Sequence, residues 1–195
     1  MGPRCTVHGG RMILLGVTGS IAAYKAVEIL RLLVKADREV HVVMTPSATR
    51  FVGPLTFQGL SGHPVFSDAL DPNAYQMAHL ALAEKADVIL VAPASAEALS
   101  QMARGGAQDL VSACVLSAVR TPAGKLKTPV FLAPAMHESM WLHPATQANV
   151  KILEGYGYQF IGPEKGALGR AGDVGIGRMS EPETIAAQVL KIRAS

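Results

Sequence analysis

Apolar residues in this chain gather into short continuous runs rather than strict alternation. MILLGV begins at Met12, VHVVMT at Val40, ADVILVAP at Ala86 and TPVFLAP at Thr128, with a weaker VFSD at Val65 and YQFIGP near Tyr158 as the last. Between the runs the spacing turns helical: through Lys25, Ile29, Leu32 and Leu33, then over Ala94 to Arg104, Asp109 to Ala118 and Ala145 to Tyr156, with a closing helix from Pro182. Strands without a polar face, alternating with helices, predict a parallel sheet covered on both sides. Right-handed crossovers make it a doubly wound, Rossmann-like, three-layer α/β fold, whose ligands bind beyond the carboxyl ends of the strands.

Composition narrows the picture. A chain of 195 residues, 49% of them hydrophobic, supplies one sizeable core, and scarce aromatics favour small side chains packed between helices and sheet. Residues 1–11 read as a flexible polar tail and 12–195 as one domain. The Gly-rich stretch 165–179 reads as a long mobile loop without regular structure. The net charge of +3 comes from scattered Lys and Arg, which do not mark a nucleic-acid surface. No run approaches the roughly 18 apolar residues of a membrane span, and the N-terminus lacks a signal peptide's apolar segment. Cys5 and Cys114 have neither metal spacing nor a disulfide framework, so a reducing, cytoplasmic setting is expected and no metal site is assigned.

Candidate chemistry clusters at the strand ends. After the first strand, Gly19 and Ser20 precede a helix, where amide groups and a hydroxyl can face a phosphate; a plain helix cap is an equal reading. The segment has neither the third glycine of GxGxxG nor the lysine of a P-loop, which argues against dinucleotides and nucleoside triphosphates. Thr45, Ser47 and Thr49 place hydroxyls at the end of the second strand, for the same phosphate or as caps of a helix begun by Pro46. His79, read as lying just before a short helix, is an acid–base candidate or an ordinary structural histidine.

In order along the chain stand TGSIAAYK, VVMTPSATRF, PLTFQGLSG, the His79 segment, PASA, PAM followed by MW, HPATQ and GDVG followed by GRM. In this combination, from about Met12 to Ile185, the sequence resembles the flavin-dependent cysteine decarboxylases. The resemblance implies a flavodoxin-like fold, FMN as cofactor and a homotrimer or dodecamer with FMN at the subunit contacts. It places Gly19, Ser20 and Ile21 at the FMN phosphate with Thr45 and Ser47 assisting, and Ser95 and Ala96 along the flavin. His79 matches the family's active-site histidine. Ala135 and Met136 would close the site from a neighbouring subunit, braced by Met140 and Trp141.

Two positions depart from the family pattern. His137 stands where PAM is followed by a carboxylate-binding asparagine, and Ala171 where the Gly-rich clamp carries a proton-donating cysteine. His137 reads equally as a carboxylate ligand and as a solvated loop residue. The implied activity is FMN-dependent decarboxylation of a cysteine-containing substrate, 4′-phosphopantothenoylcysteine first, on the way to coenzyme A. Two alternatives follow from the departures: oxidative decarboxylation of a peptide C-terminal cysteine to an enethiol, or a non-catalytic FMN-binding subunit completed by a related chain. Bacterial relatives often fuse this domain to a ligase; with the chain ending at Ser195, that ligase is expected to be a separate protein.

Overall fold

The structure is a computed structural model that describes residues 11–68, 78–169 and 172–192. Apart from Arg11, the expected tail lies outside the described residues, as does Ala171. Strands β1 (Met12–Val17), β2 (Glu39–Met44), β3 (Val88–Ala94), β4 (Val130–Pro134) and β5 (Gln159–Phe160) form one parallel sheet in the order β2-β1-β3-β4-β5. All of β1, β3 and β4 is buried, which is why they read as continuous apolar runs.

The strand pleat divides the core in two. Ile13, Leu15 and Val17 join Val88 and Leu90 on one face, under α1 (Ala23–Lys35), α2 (Pro54–Ser61) and α8 (Pro182–Leu190). Leu14, Ile89 and Val91 point the other way, into α3 (Ala78–Lys85), α4 (Ala96–Ala103), α5 (Leu110–Leu116) and α7 (Pro144–Gly155). Gly16 lies on this second face because α5 comes very close: a Cβ there would sit 2.8 Å from Val111 Cγ1.

The structure corrects several expectations. VFSD forms no full strand; it contributes one bridge, Phe66 to Val43. Pro46 starts a turn and a short 3₁₀ helix, Ala48–Arg50, rather than an α-helix. His79 sits inside α3, not before it. Stretch 165–179 is not an irregular loop: β6 (Glu164–Ala167) and β7 (Val174–Arg178) pair as an antiparallel hairpin, so the YQFIGP run is not the last strand. Glycines suggested irregularity because their use is tertiary, as the site below makes plain. A further short helix, α6 (Glu138–Trp141), follows β4.

Leu90 is fully buried in the central strand, so Leu90→Ala should cost about 2–5 kcal/mol. Urea unfolding should show a lower midpoint with an unchanged slope.

Candidate active site

From β1 the chain moves outward to β2, and from β3 outward to β4 and β5, so the loops leaving β1 and β3 diverge. A crevice opens beyond their carboxyl ends. Thr18 closes its back: 1% exposed, its hydroxyl donates to the Pro93 carbonyl at 2.7 Å and accepts the Ser95 amide at 3.0 Å. The next residue, Gly19, runs against the loop after β2, where a Cβ would lie 2.5 Å from the Ser47 hydroxyl. Thr45 and Ser47 face each other there with hydroxyl oxygens 3.0 Å apart.

Several of the predicted hydroxyls are used locally. Thr45 Oγ1 accepts the Ala48 amide at 3.2 Å, and Ser95 Oγ accepts the Ala98 amide at 3.2 Å as the N-cap of α4. Ala96 is the first residue of that helix, where the amide has no partner within the helix. Ser20 is held more loosely, its hydroxyl 3.3 Å from the Ala22 amide and 3.4 Å from the Ala135 carbonyl.

In front of these loops lies a cleft of about 760 Å³. One wall is the start of α1, with Ser20, Ile21, Tyr24 and Lys25; a second is Ala135, Met136 and His137 after β4; the third is the hairpin, with Ala167 to Gly169 and Gly177 to Met179. Ser20, Ile21, Ala135, Met136 and His137 thus meet in the cleft of a single chain, whereas Ala135 and Met136 were expected to reach the site from a neighbouring subunit. Gly19, Thr45, Ser47, Ser95, Ala96 and His79 do not line this cleft. The first five lie on the neighbouring loops or at the start of α4, and His79 is half-buried on α3.

The glycines of β7 explain how the third wall docks. The Met136 amide donates to the Gly177 carbonyl at 3.0 Å, and the Ile176 amide donates to Glu138 Oε1 at 2.8 Å. A Cβ on Gly177 would collide with the Met136 carbonyl, and one on Gly175 would lie 2.7 Å from the Glu138 carboxyl. Gly177 also holds φ at 145°, a conformation side chains disfavour. On the far side of the cleft, a Cβ on Gly169 would lie 2.6 Å from Ile21 Cδ1, so the hairpin spans from α6 to the start of α1.

Charge is paired around the opening. Lys25 Nζ reaches Glu181 Oε2 at 3.0 Å and the Met179 carbonyl at 3.4 Å, with its side chain only 12% exposed. Arg178 bonds Glu181 at 2.7 Å and Glu164 at 3.2 Å, leaving its buried Nε without a partner among the described residues. The Lys25 hydrogen bond, reinforced by the charges of Lys25 and Arg178, holds the Glu181 carboxyl below its ordinary value. A lowered carboxylate keeps this tether above the usual Glu range and loses it as pH falls through the lowered value.

His137 is fixed in orientation. Its Nδ1 accepts the Ser139 amide at 3.2 Å, so the proton of the neutral ring sits on Nε2, which faces Asp173 Oδ2 at 3.6 Å. His137 also caps α6, so it is neither a loose loop residue nor free to turn. Cys114 takes no part: burial first, then Asp109, pushes its thiol up to about 12.

Thr18, Lys25, Glu138 and Arg178 were missed by motif reading. Thr18, Lys25 and Arg178 lie within the quoted motifs and Glu138 between PAM and MW, but their roles depend on partners in other segments of the chain.

The sheet order, the crevice at its switch and the docked hairpin define an open α/β protein of flavodoxin-like type. A family model described as Flavoprotein matches residues 4–193, and the chain belongs to that family. It is 46% identical over 177 residues to the coenzyme A biosynthesis bifunctional protein CoaBC of Haemophilus influenzae, covering 90% of this chain and 42% of that protein. The chain therefore spans about two fifths of such relatives. Among solved structures, a cysteine-to-serine mutant of PPC decarboxylase complexed with pantothenoylaminoethenethiol superposes with a TM-score of 0.81 at 28% identity, covering 93% of this chain and 97% of the other. The FMN-dependent cysteine decarboxylase SpaF gives 0.73 at 30% identity, covering 94% and 98%.

Gly177→Ala should undock the hairpin from Met136 and raise amide exchange across residues 174–178 well above that in β1, while the sheet stays folded. Hydrogen–deuterium exchange read by mass spectrometry checks this.

Proposed function

We propose that this chain binds FMN at the crevice and decarboxylates 4′-phosphopantothenoylcysteine, a step on the way to coenzyme A. The observation that carries the reading is the three-walled cleft, closed by a hairpin whose glycines are shaped to the loop after β4. The residues present fit a flavin nucleotide. The cleft has the volume of a small-molecule site, with apolar surface from Ile21, Met136 and Met179. The loosely held Ser20 hydroxyl leaves polar capacity at its edge.

In this reading Ser20 and Ile21 hold the phosphate end from the cleft wall, with Gly19, Thr45 and Ser47 on the adjoining loops, and Ser95 and Ala96 at the start of α4 border the ring. FMN supplies a two-electron acceptor for the substrate's cysteine carbon, which no side chain can provide, and the oxidised carbon then eases loss of carbon dioxide. The chain's own residues position the substrate. His137, oriented through Nδ1 by Ser139, presents its Nε2–H to the substrate carboxylate in place of the family's asparagine, because Asp173 Oδ2 at 3.6 Å is too far to hold that proton in a hydrogen bond. Ala135 and Met136 hold that end against the cleft, and the docked hairpin excludes water.

His79 stands outside the cleft of a single chain, which agrees with a site shared between copies. Ile21 at 63% exposed and Leu142 at 58%, beside the cleft, are apolar surfaces that a trimer would cover. We therefore place His79 in the site through a homotrimer, assembled further into a dodecamer in the larger form. Among the described residues no helix is long and apolar enough to cross a membrane.

Anaerobic incubation of the FMN-loaded chain with 4′-phosphopantothenoylcysteine should release carbon dioxide and return oxidised flavin with a saturated thiol. Bleached flavin with an enethiol would assign the chain to oxidative decarboxylation alone, and no reaction would overturn the reading. His137→Ala should raise KM for the substrate at least about tenfold, the effect of losing one charged or strongly polar hydrogen bond. FMN content, read from visible absorbance, should stay near that of the unsubstituted chain.

A further inference from the structure

At the opposite end of the sheet from the cleft, three metal-ligating side chains converge. Glu39 opens β2, and His41 follows two residues later on the same side of the strand. His63 arrives from the segment after α2. The three ligand atoms they offer lie within 4.8 Å of one another. Glu39 Oε1 and His41 Nε2 are already 2.9 Å apart, and the two imidazole rings stack with centroids 4.2 Å apart and 23° between planes.

This cluster is held from both sides. His41 pairs with Leu14 in the β1–β2 ladder, and its side chain is only 20% exposed. His63 is set by the end of α2, where Gly62 at φ 73° caps the helix and the Ser61 hydroxyl accepts the His63 amide at 3.1 Å. An ordinary surface ion pair would need Glu39 and His41 alone. A second imidazole, delivered by a fixed turn onto the first, completes two nitrogen ligands and one oxygen ligand.

We propose that Glu39, His41 and His63 form a site for a divalent transition-metal ion of the zinc class. Imidazole and carboxylate together suit Zn²⁺, and three protein ligands leave a fourth position for water. Zn–N and Zn–O bonds of about 2.0–2.2 Å put tetrahedral ligand atoms about 3.3–3.5 Å apart, so binding requires the His63 ring to turn out of its stack on His41 until both imidazoles aim a ring nitrogen at the ion. The ion takes the place of the proton between His41 Nε2 and Glu39, the ring proton moving to Nδ1, and leaves the flavin crevice untouched. Its effect is mechanical: it ties the turn after α2 to the exposed edge of the sheet, where Phe66 otherwise makes a single bridge.

Titrating the full chain with ZnCl₂ in chelator-free buffer, followed by calorimetry, should show one strong site per chain and a raised Tm. His63→Ala and Glu39→Gln should each weaken that site at least about tenfold, in line with loss of a ligand, while FMN content is unchanged. Substitution of His143, an exposed histidine outside the cluster, should leave it intact. Cobalt(II) should give visible bands of four-coordinate strength that disappear in His63→Ala. The proposal fails if zinc shows no saturable site tighter than about 1 µM, which corresponds to about 8 kcal/mol. It also fails if the His63→Ala chain binds as the unsubstituted one does.

Discussion

Strands β1 and β3 have no solvent face, and this constraint organises the rest of the molecule. Residues whose every side chain is buried cannot carry the polar groups that handle a charged ligand, so chemistry is pushed to the strand ends. There the chain must turn, and Thr18, Ser20, Thr45, Ser47 and Ser95 appear at successive turns. The buried Thr18 hydroxyl joins two of these turns by satisfying one carbonyl and one amide that would otherwise lie unpaired. The crevice therefore has a rigid back before any ligand arrives.

Its front is built differently. The β6–β7 hairpin has little apolar core of its own and is placed by docking, through Met136, Glu138 and Ile21. Close backbone approach makes these contacts, and side chains at Gly175 or Gly177 would prevent it. The salt links of Lys25, Arg178, Glu164 and Glu181 hold the base of the hairpin to α1 and α8. Partly exposed pairs contribute little stability individually, so their value lies in fixing position. A rigid back with a docked front suits a site that must admit a substrate and then exclude water.

Membership of the Flavoprotein family and the likeness to solved cysteine decarboxylases bear on the two departures in this chain. His137 keeps a polar donor at the position after PAM, but with its orientation set by the start of α6. Cys114 cannot replace a clamp thiol, because burial holds its proton. Under the proposed function, His137 is the polar group left at that end of the cleft.

The sheet was legible from the sequence because burial on two faces demands uninterrupted apolar residues, and MILLGV, ADVILVAP and TPVFLAP have them. The motifs at the strand ends were legible for a related reason, since turns and caps need particular residue types close together. VFSD misled because local β-propensity does not supply a partner strand. The hairpin misled because glycine reads locally as freedom, whereas here its missing Cβ serves contacts with Met136 and Glu138, about forty residues earlier in the chain. Tertiary structure alone decided which hydroxyls are already spent as caps, which way His137 points, and that His79 lies off the cleft. Those outcomes depend on distances between residues remote in sequence, and no local pattern encodes them.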